Sequence, residues 1–215
     1  MRILAGARSS PLSKAQFEEI QEELKKIQPH LVLEAVWAQS PGDRDKETSL
    51  RPLGKCDFFT RDLDLMLLDG KIRIAIHSAK DLPDPIPEGL SVIALTRGVD
   101  PRDSLVLREG EAFQTLKSGS RIATSSERRE EAVRKLRRDL VFTDLRGTIG
   151  ARISLLEKGE IDGVVIAEAA LIRLKLTHLN RLFLSGETTP LQGKLAVVAR
   201  ADDLEMKRMF HELNE

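Results

Sequence analysis

The sequence predicts an α/β protein in which strands and helices alternate along the chain. Short apolar segments rich in β-branched residues, such as residues 72–76 and 90–95, predict strands. Other segments, such as residues 126–140, have apolar residues at helical spacing. This alternation is typical of parallel βαβ units. With 215 residues the chain is long enough for one large domain or two smaller ones.

The N-terminal part of the chain begins with a strand and a long amphipathic helix. Ser10 and Pro11 favour a helix start, and Pro29 stops the helix. The inward face of this helix is predicted to hold the apolar residues Leu12, Phe17, Ile20, Leu24 and Ile27. The other predicted elements are strands over residues 2–5, 31–38, 72–76 and 90–95, and a helix over residues 58–68 that ends at Gly70.

Residues 39–55 differ from their surroundings because they are polar and show little periodicity. A loop of this length in a compact domain is usually functional or disordered. It is either a plain surface loop or a mobile flap over a binding site, with Lys55 and Cys56 at its end.

The run Asp100-Pro101-Arg102-Asp103 marks a crossing into a second α/β unit. The predicted elements of this unit are strands over residues 104–107, 121–124, 141–145 and 162–166, and helices over residues 126–140, 149–158 and 168–174. A further apolar strand over residues 194–199 returns to the first unit. We therefore expect a first lobe of residues 1–96 and 193–215 and a second lobe of residues 97–192.

Composition excludes several classes of protein. The chain has 34 basic and 34 acidic side chains and a formal net charge of +0, whereas a nucleic-acid-binding protein favours a basic balance. No apolar run reaches the roughly 18 residues of a membrane span. The single cysteine excludes a disulfide framework, and the four histidines show no metal-ligand spacing. We therefore expect a cytoplasmic protein without a metal site.

Polar residues follow the strand at residues 72–76 at once: His77, Ser78, Lys80 and Asp81. In an open α/β sheet, ligands bind outside the carboxyl ends of the strands. These residues are therefore either a candidate active site or the solvated end of a strand.

A second polar cluster lies between a strand and a helix, with the hydroxyl residues Thr124, Ser125 and Ser126 followed by Arg128 and Arg129. Free backbone N–H groups at a helix start form an anion site, and guanidinium groups suit carboxylate or phosphate. Three further arginines also follow predicted strands, namely Arg8, Arg146 and Arg152. The alternative is that these arginines lie on solvated helix faces.

Together these residues resemble the porphobilinogen deaminase (hydroxymethylbilane synthase) family. The motifs that carry the resemblance occur in the family's order: Arg8-Ser9-Ser10-Pro11-Leu12, His77-Ser78-Ala79-Lys80-Asp81-Leu82-Pro83, Asp100-Pro101-Arg102-Asp103, Thr124-Ser125-Ser126-Glu127-Arg128-Arg129, Leu145-Arg146-Gly147 and Gln192-Gly193. The His-Ser-x-Lys-Asp and Thr-Ser-Ser-x-Arg-Arg runs are the most specific, and the resemblance extends to about Arg200.

The resemblance implies a fold and an activity. The fold is α/β, with two periplasmic-binding-protein-like (type II) lobes around a cleft. The activity is that of a transferase of haem biosynthesis that condenses four porphobilinogen units into a linear tetrapyrrole and releases ammonia. The expected partners are porphobilinogen and oligopyrrole carboxylates, and the expected state is a monomer.

The resemblance also implies roles for single residues. Asp81 is the expected catalytic carboxylate, whereas His77 is expected to be structural. The residues expected to bind substrate or cofactor are Arg8, Ser10, Lys55, Lys80, Thr124, Ser125, Ser126, Arg128, Arg129, Arg146, Arg152, Arg173 and Gln192. For Arg173, the alternative of a solvated helix charge is nearly as strong.

The sequence departs from the family where the cofactor is anchored. The family joins a dipyrromethane primer to the cysteine of a Gly-Gly-Cys loop in a third domain. This sequence contains no Gly-Gly-Cys, so it resembles short forms of the family in which the third domain is absent. Cys56 stands where the family usually has glycine. A dipyrromethane is therefore expected to be bound non-covalently, on Cys56, or not at all. The alternative function is a tetrapyrrole- or carboxylate-binding protein that has lost catalysis.

Overall fold

A computed structural model of the protein describes residues 1–45, 48, 51 and 56–214. Contacts divide these residues into two compact α/β units. Unit 1 contains residues 1–45, 56–99 and 191–214, and unit 2 contains residues 100–190 together with residues 48 and 51. No helix in the described part of the chain is both long and apolar enough to cross a membrane.

Unit 1 is built on one five-stranded sheet. Elements are numbered in chain order, and the strands of this unit are β1 (Arg2–Arg8), β2 (Val32–Ala38), β3 (Ile74–Ser78), β4 (Leu90–Leu95) and β10 (Leu195–Arg200). The strand order is β2-β1-β3-β10-β4, with β1 parallel to β2 and β3 and β10 antiparallel to both of its neighbours. The helices are α1 (Pro11–Ile27), α2 (Pro41–Arg44), α3 (Arg61–Leu68) and α7 (Leu204–Phe210).

Helices α1 and α3 cover the sheet of unit 1 with apolar side chains. α1 begins where predicted, because the Ser10 hydroxyl accepts a hydrogen bond from the Ser13 N–H group at 3.2 Å. Of its five predicted inward residues, Phe17, Ile20 and Leu24 are buried. α3 approaches β1 closely at Gly6, where an added Cβ would lie 2.8 Å from a side-chain carbon of Leu63.

Unit 2 has a second five-stranded sheet. Its strands are β5 (Asp103–Leu107), β6 (Arg121–Ala123), β7 (Val141–Thr143), β8 (Gly163–Ala167) and β9 (Arg181–Leu184), and its helices are α4 (Glu127–Leu136), α5 (Ile149–Glu157) and α6 (Glu168–Arg173). The strand order is β7-β6-β8-β5-β9. β6 is parallel to β7 and β8, whereas β5 is antiparallel to β8 and β9.

In each unit the parallel strands end at one edge of the sheet, and predicted site residues lie at or just beyond these ends. In unit 1, β1 ends at Arg8 and β3 ends at Ser78, which is followed by the 3₁₀ turn Ala79–Asp81. In unit 2, β6 ends at Ala123 and Thr124 follows. The fold therefore places these polar residues at the carboxyl edges of the two sheets.

Several elements differ from the sequence-based expectations. The expected loop over residues 39–55 contains α2, whose capping box joins Ser40 and Asp43, while residues 46, 47, 49, 50 and 52–55 lie outside the described residues. β3 begins two residues later than predicted, because the Ile72 N–H group bonds the Met66 carbonyl and completes the end of α3. β3 also ends two residues later than predicted and includes His77 and Ser78.

The helix expected over residues 126–140 ends at Leu136. The Arg137 backbone is extended, and its side chain donates hydrogen bonds to the carbonyl groups of Phe113 and Leu116 at 3.0 and 2.9 Å. β9 and α7, which are four and seven residues long, were not predicted from the sequence.

Candidate functional site

A small pocket lies at the carboxyl edge of the unit 1 sheet. Its walls include Arg8 at the end of β1, Ser78 at the end of β3, Asp81 in the turn that follows, and Gln16 of α1. Its volume is about 10 Å³, close to what one water molecule needs. The structure thus brings together the first and second sequence motifs of the resemblance.

Asp81 is the last residue of the one-turn 3₁₀ helix after β3 and is partly exposed. Within the described ranges, no hydrogen bond or ion pair holds its carboxylate. It makes no capping hydrogen bond to this turn. A carboxylate in a pocket wall without an internal partner is available to a ligand.

Lys80 and Gln192 are brought together although 112 residues separate them in sequence. The Lys80 ammonium donates a hydrogen bond to the side-chain oxygen of Gln192 at 2.9 Å. Gln192 is buried and precedes β10, which pairs with β3. This contact holds the side chain of Lys80, the residue that directly precedes Asp81 in the sequence.

Arg8 is held by an internal carboxylate. Its Nε donates to Asp43 at 2.9 Å, a second bond joins Nη2 to the same carboxylate, and its guanidinium lies 4.7 Å from the ring centroid of Phe59. Burial opposes ionisation of Asp43, but the hydrogen bonds and charge of Arg8 outweigh it and lower the pKa of Asp43. A ligand carboxylate that binds Arg8 would have to share it with Asp43.

His77 is a buried residue of the same pocket, with 4% of its surface exposed. Burial, reinforced by the charge of Arg8, lowers the pKa of His77 from 6.5 to about 4, so the imidazole is neutral at pH 7. Its Nε2 has no hydrogen-bond partner among the described residues. No sequence pattern indicates this property, because a histidine in an apolar strand is usually structural.

The hydroxyl residues of unit 2 shape the turn between β6 and α4. Thr124 Oγ1 accepts a hydrogen bond from the Ser126 N–H group at 3.2 Å, and Ser126 caps α4 by accepting one from the Arg129 N–H group at 3.5 Å. Ser125 accepts a bond from the Leu145 N–H group at 3.0 Å and donates to the Leu145 carbonyl group. These hydroxyl groups therefore organise the loop around the arginines.

The two arginines at the start of α4 share one buried anion. Arg128 Nη2 lies 2.5 Å from Asp103, and Arg129 donates to the same carboxylate from Nε at 3.0 Å and Nη2 at 2.7 Å. Arg128 also donates to the Glu187 carbonyl group at 2.7 Å. Asp103 was not predicted as a site residue, although it belongs to one of the motifs of the resemblance.

A cluster of positive charge surrounds Arg152 of α5. Burial, and then the charges of Arg129 and Arg146, lower the pKa of Arg152 to about 10, while Asp144 acts in the opposite direction. Arg152 Nε donates to the Gly147 carbonyl group at 3.0 Å. Three of the predicted arginines therefore lie close enough to repel one another, which favours a bound anion.

The other predicted residues have less specific surroundings. Arg173 is the last residue of α6. Ser10 caps α1, so its hydroxyl has a structural role. Lys55 lies outside the described residues. Cys56 is exposed and makes no capping hydrogen bond to the turn Asp57–Phe59.

α6 also begins with a buried carboxylate that the sequence analysis missed. Glu168 accepts hydrogen bonds from Ser104 at 2.6 Å and from Arg181 Nη2 at 2.9 Å. Arg181 starts the unpredicted strand β9, so this pair ties α6 to the edge of the sheet. No group of three or more histidine, cysteine, aspartate or glutamate side chains in the described ranges could hold a metal ion.

Comparison with known families identifies one that spans nearly the whole chain. The model of the porphobilinogen deaminase dipyrromethane cofactor-binding domain matches residues 3–208. The match includes every motif singled out in the sequence analysis.

Comparison with solved structures supports two lobes of the type found in periplasmic binding proteins. An ABC-transporter periplasmic substrate-binding protein from Coxiella burnetii has 15% identity and a TM-score of 0.60, over 98% of this chain and 91% of that chain. A putative methionine-binding lipoprotein from Bacillus subtilis has 12% identity and a TM-score of 0.57, over 99% and 89%. The LysR-family transcriptional regulator CbnR has 10% identity and a TM-score of 0.59, over 99% and 68%. At these identities the similarity concerns the fold alone.

Proposed function

The chain belongs to the porphobilinogen deaminase family, and we propose that it condenses four porphobilinogen units into the linear tetrapyrrole hydroxymethylbilane with release of ammonia. The observation that carries this proposal is the Asp81 carboxylate. It lies in a pocket wall at the carboxyl end of β3, and no hydrogen bond or ion pair within the described residues holds it.

The reaction needs a carboxylate next to the pyrrole nitrogen. Porphobilinogen carries an acetate, a propionate and an aminomethyl group. When its C–N bond breaks, both electrons leave with the nitrogen as ammonia, and the remaining cation is shared between the methylene carbon and the pyrrole nitrogen. A carboxylate beside that nitrogen stabilises the developing charge and accepts its N–H. We assign this role to Asp81. After the new C–C bond has formed, the same carboxylate can take up the proton that the attacked pyrrole ring loses when it becomes aromatic again.

The arginines of unit 2 are suited to the acidic side chains of the substrate and of the growing chain. Burial, and then the charges of Arg129 and Arg146, lower the pKa of Arg152, so an anion that binds near these three arginines relieves repulsion. Guanidinium groups form two parallel hydrogen bonds with a carboxylate. We therefore assign Arg128 and these three arginines to binding of acetate and propionate groups.

The same arginines would hold a dipyrromethane, whose carboxylates have the same chemistry. When bound, a dipyrromethane would supply the pyrrole end to which the first substrate unit is added. A covalent bond to the exposed Cys56 is the second hypothesis for its attachment. Both hypotheses are compatible with the domain that the family model describes.

Incubation of the purified protein with porphobilinogen tests the proposal. We expect consumption of porphobilinogen, release of one ammonia per unit consumed, and a linear tetrapyrrole detectable by mass spectrometry. Heat-denatured protein and the Asp81→Asn variant serve as controls, because porphobilinogen also polymerises without a catalyst. Binding of porphobilinogen or oligopyrroles without turnover would instead indicate a tetrapyrrole- or carboxylate-binding protein.

A further inference from the structure

The imidazole of His77 has a buried nitrogen that no group among the described residues satisfies. His77 lies in β3 and pairs with Ala196 of β10, and only 4% of its surface is exposed. Its Nε2 is buried and has no hydrogen-bond partner in the part of the chain that the structure describes. Buried polar groups in proteins are nearly always paired, so an exception of this kind calls for an external partner.

The position of His77 indicates where that partner binds. His77 and Asp81 line the same pocket, together with Arg8, Ser78 and Phe59. With a volume of about 10 Å³ the pocket does not admit a pyrrole ring, but it is close to the size of a water molecule or an ammonium group. The ligand group that enters this pocket is therefore a small polar group rather than an aromatic ring.

The charges around His77 determine which kind of small polar group can bind in the pocket. The charged groups that line the pocket are Arg8 of β1 and Asp81 of the turn after β3, and Asp43 of α2 holds Arg8. Arg8 and burial both keep the imidazole neutral, so it does not repel a cation. A neutral imidazole has one nitrogen that donates and one that accepts, and the Asp81 carboxylate only accepts. With Nε2 as the accepting nitrogen, a ligand that satisfies both groups must donate at least two hydrogen bonds.

We propose that Nε2 of His77 accepts a hydrogen bond from the aminomethyl ammonium group of porphobilinogen while Asp81 accepts a second one. The inference rests on the proposed function. The aminomethyl group is attached to the carbon next to the pyrrole nitrogen, so one carboxylate can reach both the ammonium and the pyrrole N–H. His77 then holds the leaving group in place. No proton needs to move, because the ammonium leaves as ammonia when the C–N bond breaks and its electron pair stays on nitrogen.

Two substitutions separate hydrogen bonding from packing. A glutamine amide reaches the place of Nε2 and offers an acceptor there, whereas an asparagine amide reaches only the place of Nδ1. We expect kcat/KM for porphobilinogen to fall about 10- to 100-fold in His77→Asn, as for loss of a hydrogen bond to a charged group, and to stay within about threefold of wild type in His77→Gln. Thermal unfolding of both variants checks that the fold is retained.

An unreactive porphobilinogen analogue with methyl in place of aminomethyl provides the matched control ligand. It lacks the ammonium donor, so its inhibition constant should be the same in wild type, His77→Asn and His77→Gln. An equal loss for substrate and analogue would show general damage to the pocket and overturn the inference. A His77→Asn variant with wild-type kcat/KM would overturn it as well.

The experiment also separates this inference from the proposed function. If the wild-type protein binds porphobilinogen without turnover, the proposed activity fails, and calorimetric affinities of the same proteins and ligands replace the kinetic constants. The inference then stands if His77→Asn weakens binding of porphobilinogen but not of the analogue. If wild-type protein binds neither compound, both proposals are wrong.

Discussion

The buried carboxylate of Asp103 holds the guanidinium of Arg129 through two hydrogen bonds, 3.0 Å from Nε and 2.7 Å from Nη2. The same carboxylate bonds Arg128 at 2.5 Å, so one anion orients two arginines of the proposed carboxylate site. Asp103 carries one negative charge and the two guanidinium groups carry two positive charges, so the three residues together have a net positive charge. The arginines are thus positioned before any ligand arrives.

The first prediction concerns stability. Asp103→Ala removes the partner of Arg129, whose side chain is only 13% exposed, and should lower the free energy of unfolding by about 3 kcal/mol. Urea unfolding measures the change. Asp202→Ala is the matched control. The Asp202 side chain pairs with Arg200 but is 78% exposed, so its removal should change the free energy of unfolding by less than about 1 kcal/mol. Equal effects of the two substitutions would contradict a special role for the buried carboxylate.

The second prediction concerns catalysis. If Asp81 stabilises the cation on the pyrrole nitrogen, Asp81→Asn should lower kcat on the order of 10²–10³-fold and leave thermal stability unchanged. Asp69→Asn is the control, because Asp69 is exposed and its carboxylate binds Lys71 at the surface. Steady-state rates of porphobilinogen consumption give the comparison. Near-wild-type turnover in Asp81→Asn would remove Asp81 from the mechanism.

The alternation of strands and helices could be predicted because it depends on local patterns. The start of α1 follows from Ser10 and Pro11, which act within one helical turn, and the positions of Asp81 and Arg129 follow from the rule that ligand-binding loops lie at strand ends. Strand β9 was missed because it is a four-residue edge strand with too few residues to show a period.

The partners of the charged residues could not be predicted, because they depend on long-range packing. Arg8 pairs with Asp43 across a separation of 35 residues in the sequence, and Lys80 bonds Gln192 across a separation of 112 residues. No spacing rule connects such residues before the sheet order is known. The unsatisfied nitrogen of His77 is likewise a property of the packed strand and leaves no trace in the sequence.

The third prediction separates binding from stability at Arg152. Burial and the charges of Arg129 and Arg146 disfavour the cationic form, so Arg152→Gln should keep or raise the free energy of unfolding. The same substitution should weaken binding of a dipyrromethane carboxylate about 10- to 100-fold and reduce the salt dependence of binding. Calorimetry at two salt concentrations measures both.

The control for Arg152 is Arg134→Gln on α4. Arg134 is 48% exposed and bonds Glu130 on the surface of the same unit, so its loss should leave ligand binding unchanged. If Arg134→Gln and Arg152→Gln weaken binding equally, general electrostatic attraction would explain the effect and the cluster around Arg152 would not be a specific site.

The fourth prediction concerns pH. The folded protein protonates His77 only near its lowered pKa of about 4, whereas the unfolded chain protonates it near 6.5. Between these values the unfolded state binds more protons, so the contribution of His77 to stability is complete above about pH 6.5 and is lost as the pH falls toward 4. The loss should amount to about 3 kcal/mol.

His77→Gln isolates this effect, because glutamine does not titrate. Unfolding free energies of wild type and variant are compared from pH 7 to pH 4, and their difference cancels the contributions of other groups such as Asp43 and Asp64, whose pKa values are also shifted. The stability of the wild type should fall more steeply than that of the variant. Parallel curves would show that His77 is not a buried neutral base.

The last prediction concerns the attachment of a dipyrromethane. Cys56 is exposed and therefore reachable, but thioether formation favours a thiolate that is stabilised by neighbouring cations. The nearby Arg61 donates hydrogen bonds at 2.7 and 2.8 Å to the carboxylate of Asp57, the residue that directly follows Cys56. The negative charge of Asp57 therefore offsets the positive charge of Arg61. We therefore expect protein from pyrrole-producing cells to have its unmodified mass under denaturing conditions and to retain a dipyrromethane only in native mass spectrometry. An added mass of two pyrrole units that persists on denaturation and disappears in Cys56→Ser would instead make Cys56 the covalent anchor, and the arginines would then orient a primer that the thiol already holds.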